Sequence, residues 1–149
     1  MNAVRAYKCK MPSNIKNIGN TVKDVINFLQ SAYGEIDKCV LFELRVILNE
    51  LILNAVKHGN LEDETKYVSI KAFIVEGDKA LIAIGDDGLG YDYRNVLYNS
   101  LNNNICNLSD IKETGRGILI VKNLCEKIKF NKKGNMVCVI KKLSCNNGL

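Results

Sequence analysis

The sequence predicts an α+β fold, a two-layer sandwich with helices over one face of a mixed, mostly antiparallel sheet. Three observations predict it. Apolar residues recur at helical spacing in two consecutive segments, before and after Gly34. Two stretches rich in β-branched and aromatic residues, 67–75 and 79–85, flank a Glu-Gly-Asp turn and read as a hairpin. A further helical segment then precedes two short strands, so the order is β-α-α-β-β-loop-α-β-β. At 149 residues, 47% hydrophobic and 25% charged, the chain reads as one globular domain over 1–149, with a core that needs no disulfides.

Each element has a local reason. Residues 4–10, VRAYKCK, read as a short strand. Pro12, Ser13 and Asn14 stop it and supply an N-cap signal. A helix follows to about Tyr33, its apolar face carrying Ile18, Val22, Val25, Ile26 and Leu29, and Gly34 ends it. Asp37 caps a second helix running to about His58, with Leu44, Leu48, Leu51 and Ala55 on its apolar face and Gly59-Asn60 closing it. After the hairpin comes a glycine-rich loop, DDGLG, and then an Asn-rich stretch, 94–114, expected to be a mobile, partly helical loop. A helix is expected from near Gly117, then strands over 127–131 and 135–142 joined by a Lys-Lys-Gly-Asn turn, and a frayed tail over 143–149.

Composition excludes several classes of chemistry. A single histidine rules out zinc sites that need several imidazoles, and the six cysteines form no C-x-x-C pair. The N-terminus has no apolar stretch of signal-peptide length, and no segment approaches the ~20 apolar residues of a membrane span. The expectation is a cytoplasmic protein, not a membrane one, with reduced thiols acting as small buried hydrophobes. The net charge of +5 is concentrated after Val121, where seven lysines face Glu126 alone. Nucleic-acid binding would want aromatics interleaved with that charge; only Phe130 is nearby, so a solvated face is favoured over direct nucleic-acid binding.

Three segments carry chemistry. In ELILNAVKHG, residues 50–59, Glu50 and Asn54 share a helix face opposite the leucine stripe. A carboxylate and a carboxamide there suit a general base and a hard-cation ligand, and Lys57, one turn on, suits a phosphate. The same residues also describe a polar helix end. In DDGLG, Asp86 at a strand end can accept a hydrogen bond from a base amino group, and Gly88 and Gly90 let backbone approach a ligand; many tight turns share the pattern. In TGRG, Thr114, Gly115, Arg116 and Gly117 open a helix whose free N–H groups favour an anion, or simply start a helix.

Taken in order, the three segments resemble the N, G1 and G2 boxes of the GHKL ATPase superfamily, with its Bergerat fold, over roughly residues 10–142. The N-A-x-x-H-G ending and the compact G-x-G-[LI]-x-[LI]-[VI] stretch look most like anti-sigma factor serine-protein kinases. That resemblance implies ATP and Mg²⁺, with Asn54 as metal ligand, Glu50 as catalytic base and Asp86 on the adenine amino group. It implies Gly88 and Gly90 at the adenine end, Thr114, Gly115 and Gly117 on the phosphates and 94–114 as lid; Lys57 and Arg116 are read beside it as cations for the nucleotide, Arg116 with Lys112 in place of the arginine some members carry. It further implies serine/threonine-protein kinase activity on an anti-anti-sigma (STAS) partner, a sigma factor as the regulated protein, and a homodimer. Its alternatives are a sigma-sequestering module or a simple ATPase without protein kinase activity. Glu113 departs from some sporulation-type members, which carry arginine there, and Lys57 is similar to sensor histidine kinases. With its only histidine, His58, inside the helix motif, the chain offers no separate acceptor histidine, so a phosphoacceptor would sit on another protein.

Overall fold

A computed structural model describes residues 5–93, 95 and 113–145, with the side chains of 113–115 outside the description. Five strands form one sheet in the order β1-β2-β3-β5-β4: β1 Ala6–Pro12, β2 Tyr67–Val75, β3 Lys79–Gly85, β4 Lys127–Phe130 and β5 Met136–Lys142. Every pairing is antiparallel. The expected parallel component is absent among the described residues, for a topological reason. β3 and β4 run the same way, but β5 inserts between them.

Among the described residues three helices accompany the sheet: α1 Ile18–Tyr33, α2 Lys38–Asn54 and α3 Glu113–Leu124. Asn14 and Asp37 act as expected, accepting hydrogen bonds from the backbone N–H groups of Lys16 and Cys39. Strand residues alternate, so Val68, Ile70 and Ala72 of β2 and Ala80, Ile82 and Ile84 of β3 point to the helices and are buried. The apolar faces read for α1 and α2 meet them; Val25, Leu29, Leu44 and Leu48 are fully buried. The β2–β3 turn places Glu76 and Gly77 at positive φ, 53° and 82°, matching the right-handed twist of the flanking strands.

Four local readings change. α2 does not run as a regular helix to His58 with a left-handed glycine cap. Residues Ala55–Gly59 form a π-turn, closed by the Asn60 N–H donating to the Ala55 carbonyl at 2.8 Å, and the left-handed residues are Leu61 and Glu62. α3 already includes Glu113, four residues before Gly117, and packs against α2 despite the poor helix propensity of its glycines. Residues 143 and 144, expected in the frayed tail, are held to the fold: Leu143 is buried with its N–H donating to the Asp78 carbonyl, and Ser144 donates to the Asp78 carboxylate at 3.1 Å. The cysteines are not uniformly buried, since Cys39 in the first turn of α2 and Cys145 beyond β5 are exposed. Cys106, most of the lid stretch 94–114 and residues 146–149 lie outside the described residues. No helix among the described residues is long and apolar enough to cross a membrane.

Candidate functional site

Glu50 and Asn54 do not sit on a solvent face of α2. α3 packs over that side, and Asn54 is buried with its side-chain N–H₂ lacking a hydrogen-bond partner among the described residues. An orphaned buried donor costs about 1–3 kcal/mol unless something accepts from it. A cavity of about 310 Å³ opens at this seam. Glu50 and Asn54 of α2, Lys57 and His58 of the π-turn, and Arg116 and Gly117 of the N-terminal part of α3 line it. Two cations, a carboxylate and a carboxamide thus converge beside the N-terminal part of a helix, an environment suited to a polyanion with a hard cation.

Glycines allow the three motif segments to meet. The position a Cβ would take on Gly117 is filled by Glu50 Oε2, so α3 sits close on the carboxylate of α2. The corresponding position on Gly59 is filled by the Asp86 carboxylate, and that on Gly88 by the Gly59 carbonyl. The DDGLG loop therefore lies directly on the end of the 50–59 segment. Asp86 Oδ1 accepts from the Gly88 N–H at 2.8 Å, and the Asp86 N–H donates to the Asn135 carbonyl. Burial pushes the Asp86 carboxyl above its usual range, against the lowering effect of the Gly88 hydrogen bond.

Gly90 lies elsewhere. At φ 101°, it packs against the Lys133 carbonyl of the β4–β5 turn and lines a second cavity of about 430 Å³ with Tyr91, Tyr93 and Phe130. An aromatic chain connects the two regions. His58 and Tyr91 have ring centroids 5.4 Å apart, Tyr91 and Tyr93 4.9 Å, and Tyr93 stacks on Phe130 at 4.9 Å and 8°. Burial, reinforced by the Asp86 charge, raises the Tyr93 phenol well above its ordinary value. Thr114 and Gly115 fall in the N-terminal part of α3, their side-chain positions outside the described residues.

Sequence reasoning missed the residues that hold this geometry. Asn60, read as part of a helix end, is fully buried. Its amide donates to Ser13 Oγ at 2.7 Å and to the Tyr67 carbonyl at 3.0 Å, and its Oδ1 accepts from the Asp87 N–H at 2.8 Å. Asp87 in turn accepts from the Tyr67 N–H at 2.9 Å. One amide thereby ties the ends of β1 and α2, the start of β2 and the DDGLG loop. The only local signal was an Asn-Gly neighbourhood, since the partners are distant in sequence.

Residues 12–141 match the family described as histidine kinase-like ATPase domain. The chemotaxis protein CheA of Listeria monocytogenes serovar 1/2a (strain ATCC BAA-679 / EGD-e) is 34% identical over 99 residues, which are 60% of this chain and 15% of that protein. The CheA of Listeria innocua serovar 6a (strain ATCC BAA-680 / CLIP 11262) gives the same identity and coverage. The chain thus spans about 15% of the length of the CheA relatives. An anti-sigma F factor of Shouchella clausii (strain KSM-K16) is 28% identical over 116 residues, 73% of this chain and 74% of that protein.

Proposed function

The chain belongs to the histidine kinase-like ATPase domain family, and on that premise we propose that it binds ATP with Mg²⁺ and acts as an anti-sigma regulatory factor that phosphorylates a serine of an anti-anti-sigma (STAS) partner. The observation that carries the nucleotide reading is the buried Asn54 amide on the cavity wall, whose N–H₂ has no hydrogen-bond partner among the described residues. The protein-kinase reading is supported by the anti-sigma F factor relative, which the match covers over most of its length.

The donor set fits Mg²⁺. Asn54 offers a carbonyl oxygen for a hard cation and an N–H₂ for a phosphate oxygen. When bound there, such a cation would neutralise charge on the phosphates. Asp86 accepts from the adenine amino group in this reading, which is supported by Gly88 occupying only part of its acceptor capacity. The N–H groups of the N-terminal part of α3, with Lys57 and Arg116, hold the phosphate chain. Glu50 orients the attacking serine hydroxyl and takes its proton as the new O–P bond forms and the bond to the ADP oxygen breaks. Gly117 keeps the Glu50 carboxylate at this seam by leaving room for it.

Labelled ATP with Mg²⁺, the purified chain and a candidate STAS protein test the reading. Transfer of label to a serine, lost in Glu50→Ala with nucleotide binding retained, supports it. Tight ATP binding with no label on any partner leaves the sequestering module in its place; hydrolysis alone leaves a simple ATPase.

A further inference from the structure

The helices cover one face of the sheet. On the other, alternate strand residues point away from the core and remain partly exposed. Strand register assembles them into a pattern. Phe73, Leu81 and Ile140 form one row across β2, β3 and β5, with Ala83 and Cys138 in the next row. Around this apolar centre stand Lys8 and Lys10 of β1, Lys71 of β2, and Lys127 and Lys129 of β4, all exposed. None of the five strands contains an aspartate or glutamate. At one end Lys79 pairs with Glu76 at 2.9 Å and Glu126 at 3.0 Å, whereas none of those five lysines forms an ion pair among the described residues.

Lys8 and Lys71 lie directly opposite each other across β1 and β2. Like charges in that position weaken a sheet, so the fold gains nothing from the pair on its own account. The centre is mainly aliphatic, with one aromatic, which suits apolar side chains better than stacked bases. A second copy packed face to face would set one lysine rim against the other. We propose that this open sheet face docks an acidic, amphipathic segment of a protein partner, its apolar side chains on the Phe73–Leu81–Ile140 row and its carboxylates against Lys8, Lys71 and Lys129. The surface lies on the sheet side opposite α2 and α3, which build the nucleotide cavity, so it stands independently of the proposed kinase chemistry.

The test uses the full chain and a short fluorescent peptide designed as an amphipathic helix, leucine on one side and glutamate on the other. The control peptide has the same composition in shuffled order. The designed peptide is expected to bind about tenfold more tightly than the shuffled one, as an interface with an apolar centre requires. Lys8→Glu, Lys71→Glu and Lys129→Glu combined are expected to remove most of that binding, and Phe73→Ser to erase the difference between the peptides. Circular dichroism and ATP affinity should be unchanged in both variants. In amide shift mapping, perturbations should fall on β1, β2, β3, β4 and β5. Equal binding of the two peptides overturns the proposal, as do shifts centred on Glu50 and Arg116. Preferential binding of duplex DNA or phosphatidylserine vesicles at this face overturns it in favour of those partners, and self-association lost in the lysine variant overturns it in favour of a second copy.

Discussion

Gly117 and Gly88 both have a neighbour where a Cβ would sit, yet alanine at the two sites should act differently. At Gly117 the obstacle is the carboxylate end of Glu50, which can swing away. Alanine also favours a helix interior by about 1 kcal/mol. Gly117→Ala should therefore keep or raise the melting temperature while ATP turnover falls. At Gly88 the obstacle is the Gly59 backbone carbonyl, and Gly88→Ala should cost about 1–3 kcal/mol in urea titration. Asp86 gives a prediction of opposed signs. Its native carboxyl keeps its proton to a higher pH than in the unfolded chain, so between the ordinary and the raised value the native state binds more protons. Stability contributed by this group consequently falls as pH rises through that window. Asp86→Asn should raise the melting temperature of the ligand-free protein at neutral pH and flatten this slope in scanning fluorimetry. In calorimetry the same variant should lose about ten- to a hundredfold in ATP affinity, the worth of a hydrogen bond to a charged group.

Lys141 couples three elements. Its ammonium, on the buried face of β5, pairs with Glu43 of α2 and donates to the Leu124 carbonyl at 2.8 Å, capping α3. Lys141→Met should cost about 2 kcal/mol in denaturant titration, because Glu43 and the helix end lose their partner together. How far elements could be read from sequence follows from the range of the forces that set them. The β2–β3 hairpin was legible because alternation and turn chemistry are local, and the observed bounds Tyr67–Val75 and Lys79–Gly85 coincide with the expected ones. The inclusion of Glu113 in α3 was not, because its glycines have poor helix propensity and the contact with α2 is not local in sequence. The candidate site shows the same division. Glu50, Asn54, Lys57, Arg116 and Gly117 were identified by motif spacing and share one cavity, whereas Asn60 works through Ser13, Tyr67 and Asp87, partners no local pattern announces.

At the scale of the whole molecule, ligand binding and folding are linked. A ligand that binds only the native state at a hundred times its dissociation constant adds about 2.7 kcal/mol to stability. ATP with Mg²⁺ should raise the melting temperature of the wild type, and Asn54→Ala should abolish that rise; an equal shift in both would remove Asn54 from the site. The topology has another consequence. β5 follows the other four strands in the chain but pairs between β3 and β4. Until it emerges during synthesis, β3 exposes one open edge and β4 has no partner at all. The nascent sheet can therefore close only after residue 142 has cleared the ribosome, and any pause before that point leaves two unpaired edges open to misassociation.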